Sequence, residues 1–596
     1  MYDSRDDVPG THRFDLTRIF ESRADWRAAC DGLESAIERF DTDRPLADVL
    51  AAFESLSARD HRLRTYADLR ANVQRGDDQR AGDRTRTETL HGDLLALRDD
   101  VERRIREVDP DAHVPGRFER YVEDVHRRAD HTLDPAASDL LAALDDVLAA
   151  PTRVQRALVD GDFDPPTIDV AGESATLTRS ERSRIQQEGD RAVRERAFQA
   201  VRDEYLDRRE TMAANLDTMA RRNVRLADAR DYDSALAAAL AGDDPYVACR
   251  PQQRLPRDVY DALVGGVRDN LAPKHRLERV RRDALSVDTL QPWDTNAVPV
   301  DGATPEYDYE DARELILDAV APLGDAYQSE VAAVFEERRL DVFDYPGKTQ
   351  QGAGYATYAP DAGAFVLARW NGSLSHVFLL AHELGHAVHA TLAQTAQPHV
   401  TAGITEPVAE LPSKLHEVLL ADHLLETTSG DEHTAVAARA VRSVGANLYY
   451  SARWAAFTHR LHQRVADGDR LTADWLDDAY GDLYAEFVPA LEVTDRLRAG
   501  WTTGLYSIPL YHHYPYVLGT AGALAVADGL EDGARDGIGN GIAPADYVAF
   551  LEAGTSTPTV DALDALGVDA TSERAVSDAV DGFEAYVDAF AEAVEE

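Results

Sequence analysis

The sequence predicts a mainly α-helical protein with a small β-sheet set beside one long helix. Three observations carry this. Apolar residues recur at spacings of three and four through most of the chain, as in "DWRAACDGLESAIERF" and "HGDLLALRDDVERRIREV". Strand-like sequence is confined to "TIDV" and "ATLT", which flank a glycine-containing turn, and to "GYATYAPDAGAFVLARWNG". Directly after the latter comes "SLSHVFLLAHELGHAVHATLAQ", residues 373–394, a helical period that places two histidines and a glutamate in an otherwise apolar segment.

In chain order, residues 15 to 110 read as packed amphipathic helices, and "VDPDAHVPG" interrupts them near residue 110. A small hairpin is expected within "GDFDPPTIDVAGESATLT". A soft boundary near 185 then separates an N-terminal helical region, 1–185, from a second region, 186–596. Helices resume after it, and "SVDTLQPWDTNAVPVDGATPEYDY" is the longest non-helical connection. In "AFVLARW", Phe365, Leu367 and Arg369 would share one strand face and Val366, Ala368 and Trp370 the other. Asn371 and Gly372 then turn the chain into the helix. Neither a fixed-period repeat nor a low-complexity tract occurs.

Composition bounds the function. A chain of 596 residues with 44% hydrophobic content can bury a large core. Its 108 acidic residues outnumber 63 basic ones, giving a net charge of −45. Phosphate contacts need a basic face, so nucleic-acid binding is excluded as an expectation. Only three lysines occur, Lys274, Lys348 and Lys414. The acid excess with so little lysine predicts a protein adapted to a salt-loaded cytoplasm, where molar salt screens self-repulsion within about 3 Å. No apolar run long enough for a membrane span is seen, and the start lacks the basic-then-apolar order of a signal peptide, so a cytoplasmic location without membrane association is expected. Cys30 and Cys249 supply neither a disulfide framework nor a cysteine metal site. Any metal must then be held by His, Asp or Glu.

On a helix from about Leu374 to Gln394, Leu374, Val377, Phe378, Ala381, Leu384, Val388 and Leu392 form one apolar face. His382 and His386 project together one turn apart elsewhere, a spacing at which two imidazoles converge on one zinc ion. Glu383 flanks them, in the HExxH arrangement of zinc hydrolases, where the glutamate serves as general base. Burying these groups on an apolar helix costs several kcal/mol unless a cation compensates. A catalytic site needs a third protein ligand. In "TEPVAELPSKLHEVLLADHLLE", Thr405 suits a helix cap, Glu406 and Pro407 its first turn, and Glu410, Ser413 and Glu417 recur on one face. Glu410 is the candidate third ligand. Glu417 or Ser413 is expected to accept an N–H from a ligating histidine, and His389 reads as structural.

At these residues the chain resembles the thimet oligopeptidase and oligoendopeptidase F family of zinc metallopeptidases, and the oligoendopeptidase F branch more nearly. The likeness rests on "VFLLAHELGHAVHA" and "AELPSKLHEVLL", and extends to "RFDLTRIFESRADWRAAC" and "GAGYATYAPDAGAFVLARWNGSLSHVF". It implies one Zn²⁺ held by His382, His386 and Glu410, with Glu383 catalytic and residues 186–596 forming the catalytic domain. It also implies a two-lobed helical ellipsoid with a deep channel that admits short unstructured peptides. The family's substrate-binding histidine and tyrosines correspond to "YSIPLYHHYPYVLGTAGALA", where Leu510 and Leu518 stand at two of those places. His513, Tyr514 and Tyr516, with His512 beside them, are the candidate oxyanion donors from shifted positions. Substrate backbone would pair with the edge of "AFVLARW". Three other readings stay open: a peptide-binding protein of the same fold without turnover, a metal-free helical interaction protein, and a dipeptidyl carboxypeptidase, which needs a cationic feature for the substrate's C-terminus. The sequence sets no oligomeric state.

Overall fold

The computed structural model describes residues 2–109, 114–188, 190–242, 255–297, 305–349, 354–504, 511–536 and 541–595. Cys249 and Leu510 therefore lie outside the described residues, as do 298–304 of the long connection. The chain forms two compact units, each built from three separate segments. The first comprises Met1–Ala129, Thr304–Glu426 and Ala523–Val568; the second comprises Asp130–Ala303, Thr427–Gly522 and Asp569–Glu596.

The first unit begins with the expected helices, Arg23–Glu38, Leu46–Asn72 and Asp78–Arg106. Ser22 caps the first by accepting from the Asp25 N–H, and Trp26, Cys30 and Leu33 form its buried stripe. The Trp26 indole N–H donates to the Leu63 carbonyl at 3.1 Å, so this large ring is buried without leaving its donor unpaired. The third helix stops at Arg106, ahead of the predicted break.

In the second unit the predicted hairpin is present. Strands β1 (Thr167–Val170) and β2 (Glu173–Thr176) pair antiparallel. Ala171 and Gly172 both take positive φ, 55° and 90°, the conformation of a two-residue hairpin turn. That turn starts the pairing at Glu173, two residues earlier than "ATLT" suggested.

The site-bearing sheet belongs to the first unit: β3 (Leu340–Phe343), β4 (Gly354–Ala359) and β5 (Gly363–Trp370), in the order β3-β5-β4. β5 runs parallel to β3 and antiparallel to β4. The expectation that "AFVLARW" offers an edge to substrate is therefore corrected: β5 is the central strand. Its run from Ala364 to Ala368 is at most 3% exposed, because both faces are covered and both edges paired. Among the described residues β3 and β4 each have a single strand neighbour, so the two edges of the sheet belong to them. After Trp370, Gly372 takes φ 83° and the Asn371 carboxamide oxygen accepts from the Ser373 N–H and hydroxyl, turning the chain into the next helix.

Candidate metal centre

The HExxH helix spans Leu374–Ala396, and its predicted apolar face is buried from Leu374 through Val388. The return helix spans Glu406–Thr427. The Thr405 carbonyl accepts its first backbone bonds, while the Thr405 hydroxyl pairs with that of Thr559 at 3.3 Å. The two helices cross at Gly385. A Cβ there would sit 2.7 Å from the Pro412 carbonyl oxygen and the Ser413 Cα, so only glycine permits this approach.

The crossing brings His382, His386 and Glu410 together, with one donor atom from each lying within 4.8 Å of the others. The Nε2 atoms of the two histidines are 3.2 Å apart. Glu410 places Oε2 3.8 Å from His382 Nε2 and Oε1 4.0 Å from His386 Nε2. A tetrahedral ion with ligands at 2.0–2.1 Å would separate two donors by about 3.4 Å, so the spacing suits zinc. The hydrogen bonds suit it as well. His382 Nδ1 lies 2.9 Å from Glu417 Oε1 and donates to it, which leaves the Nε2 lone pair facing the cluster. The same carboxylate oxygen accepts from Lys414 Nζ at 2.8 Å. Two imidazole nitrogens and a carboxylate converging in this way form a donor set for a divalent cation.

Electrostatics separates the two carboxyls. Burial pushes Glu383 up to about 7; the His382 ring opposes the rise and the Glu410 charge adds to it. The Ala356 N–H of β4 donates to Glu383. Burial alone would also raise Glu410, but His386, His382, Lys414 and the Ser413 hydroxyl outweigh it and hold that group below the usual carboxylate range. Glu410 therefore stays anionic while Glu383 sits near neutrality, the separation expected of a ligand beside a proton carrier. Burial depresses His386 to about 4, keeping it neutral.

Residues 184–582 match peptidase family M3. The chain belongs to that family. It is 25% identical to Oligopeptidase PepF of Bacillus subtilis over 98% of its own length and 87% of that protein. Its fold matches a candidate peptidase from Chlamydophila abortus with a TM-score of 0.85 at 21% identity, over 100% of both chains. It also matches oligoendopeptidase-F from Enterococcus faecium with a TM-score of 0.68 at 22% identity, over 96% of this chain and 98% of the other. No described helix is long and apolar enough to cross a membrane.

Several further residues surround the centre without a signal in the sequence that marks their role. His416 is fully buried and donates from Nδ1 to the Ala381 carbonyl at 2.9 Å, while its Nε2 accepts from the Tyr327 hydroxyl at 2.7 Å. It thereby ties the return helix to the HExxH helix one residue before His382. The spacing of "KLHE" places Lys414 beside Glu417 at i,i+3 but does not reveal Ala381 and Tyr327 as the partners of His416. Gly354 of β4 is a third such residue, since a Cβ there would lie 3.1 Å from Glu383 Cγ. His389 is buried and stacks on Phe550, with ring centroids 6.4 Å apart. Ser413 donates to the Glu410 carbonyl at 2.9 Å and to its Oε2 at 3.3 Å.

The C-terminal candidates belong to the second unit. His513 stacks on Trp454 with centroids 5.7 Å apart and is nearly buried. Tyr514 is buried edge-on to Tyr260. Tyr516 is half-buried, its hydroxyl 3.4 Å from His512 Nε2. Leu518 is fully buried.

Proposed function

We propose that this chain is a zinc-dependent endopeptidase that hydrolyses internal bonds of short unstructured peptides. The observation that carries the reading is the convergence of His382, His386 and Glu410 within 4.8 Å beside a buried Glu383. In it, the three converging residues hold zinc, which when bound supplies the Lewis acidity that polarises a carbonyl and acidifies water. Glu383 takes the proton from the attacking water and delivers it to the leaving amine, a two-way task suited to a carboxyl near pH 7. The Ala356 N–H orients that carboxylate. Glu417 fixes the His382 tautomer, and Lys414 holds Glu417. Substrate backbone pairs with an edge strand of the β3-β5-β4 sheet, a mode that gives affinity with little side-chain specificity. His513, Tyr514 and Tyr516 are the candidate oxyanion donors of this reading, an effect worth roughly 3 to 4 kcal/mol for one good hydrogen bond. Residues 186–596 form the catalytic region in this reading, and the enzyme works in a salt-loaded cytoplasm.

Mass mapping of the products from an internally quenched peptide of about eight residues, with metal content measured in parallel, tests this. Cleavage at interior bonds by protein carrying one zinc per chain is the expected result. Sequential release of C-terminal dipeptides would replace the endopeptidase with a dipeptidyl carboxypeptidase, and bound zinc with intact peptide would leave a peptide-binding protein.

A further inference from the structure

The second unit contains a cavity of about 510 Å³ whose walls carry six basic side chains, Arg182, Arg202, Lys274, Arg281, Arg442 and Arg453, against a single carboxylate, Glu278. This inverts the balance of a chain with 108 acidic and 63 basic residues. Glu278 pairs with Lys274 through one oxygen and offsets part of the charge of Arg281, leaving the cationic excess around Arg442 and Arg453. Among the described residues no carboxylate forms an ion pair with Arg281, Arg442 or Arg453, although Arg281 and Arg453 are only 4% and 6% exposed. Their Nε atoms have no hydrogen-bond partner. Arg453 lies over aromatic rings, 4.2 Å from the Tyr484 centroid, and Tyr450 and Trp454 extend the same wall.

Like charges buried together are unfavourable unless an anion enters, and a planar guanidinium matches a carboxylate with two parallel hydrogen bonds. Burial, with the added charge of Arg439 and Arg281, holds Arg442 down to about 9, the signature of a cation that lacks a counter-ion. The cavity is larger than one inorganic anion fills, and its aromatic wall suits an apolar group attached to the charge.

We propose that this cavity binds a carboxylate carried by a peptide, whether its C-terminal carboxylate or an acidic side chain, with the adjoining apolar side chain against Tyr450, Trp454 and Tyr484. The assignment rests on the oligopeptidase reading and names the class of peptide the cavity takes, one with a carboxylate next to an apolar residue. Because Arg281 and Arg453 are buried, this recognition persists in molar salt that erases surface charge effects.

The test is calorimetric titration of the full chain carrying Glu383→Gln, in molar KCl, with N-acetyl-Phe-Gln-Leu as free acid, the same peptide as amide, and N-acetyl-Phe-Glu-Leu amide. The expected result is that at least one carboxylate-bearing peptide binds about tenfold or more tightly than the neutral amide. Whichever carboxylate gives the margin identifies its source. In Arg281→Gln and in the half-buried Arg442→Gln the margin should fall below about twofold, with folding confirmed by circular dichroism. Equal binding of all three peptides overturns the proposal, as does a margin that survives in Arg442→Gln, or saturable phosphate binding without an acid-over-amide margin. Wild-type turnover without the margin removes the cavity assignment and leaves the peptidase, whereas the margin without turnover does the reverse.

Discussion

Each of the three lysines sits against a carboxylate: Lys274 with Glu278, Lys348 with Asp341 at 2.8 Å, and Lys414 with Glu417 at 2.8 Å. Each is largely buried, so its ammonium acts at a defined partner rather than in solvent screening. Lys414 matters for chemistry because Glu417 uses one oxygen for both Lys414 and His382 Nδ1. Replacing it with an apolar isostere leaves Glu417 short of a donor and loosens the histidine it orients. Lys414→Met should therefore weaken zinc retention about 10- to 100-fold in chelator competition, the range for outer partners of a metal-ligating histidine. Unchanged retention would show that Glu417 is held by other groups. The HExxH spacing makes His382, Glu383 and His386 legible from sequence alone, because a helical period places ligands directly. The roles of Lys414 and His416 are not legible, because each depends on a contact 35 residues away in sequence: Glu417–His382, which Lys414 supports from three residues away, and His416–Ala381.

At the scale of elements, the centre depends on two close approaches that glycine permits. At Gly385 a methyl group would meet backbone atoms 2.7 Å away, which cannot rotate aside. Gly385→Ala should separate the two helices, costing about 1–3 kcal/mol of stability and lowering zinc affinity together. Thermal unfolding with and without excess zinc measures both, and a fully stable variant with normal zinc content would contradict the crossing described. The long helices, the hairpin at Ala171–Gly172 and the entry turn at Asn371–Gly372 are written locally in period and turn chemistry. The sheet order was not: "AFVLARW" became the central strand because β3 lies against it in parallel, a pairing no local pattern reveals. The same holds for the cationic cavity, whose arginines are indistinguishable in sequence from those in surface ion pairs.

For the whole molecule, two dependences follow from charge. Burial depresses His61, His389 and His513 to about 3, and His399, His416 and His462 to about 4. In the unfolded chain these groups titrate near 6.5, so below that pH the unfolded state binds more protons than the folded one. Their contribution to stability is complete above about pH 6.5 and is lost as pH falls toward 4, with a slope approaching about 1.4 kcal/mol per pH unit for each histidine. Melting temperatures should be flat above pH 7 and fall progressively from about 6.5 downward; a flat profile to pH 5 would contradict neutral burial of these rings. The net charge of −45 sets the second dependence. Raising KCl from about 0.1 M to about 3 M should raise the melting temperature, since screening relieves self-repulsion. A melting temperature that is unchanged or lower in high salt would remove the salt-adapted reading. The interleaving of the two units from separate segments has no local signature, which is why a linear boundary near residue 185 was the only division the sequence could suggest.

The role of Glu383 is decided by cleavage of a quenched fluorescent peptide in molar KCl by wild type and by Glu383→Gln, both carrying one zinc per chain. Wild type should show turnover that a chelator abolishes, and the variant should lose at least about a thousandfold in kcat with zinc retained. Equal turnover by the two proteins would contradict the role given to Glu383, and with it the reading of the site as a hydrolytic zinc centre.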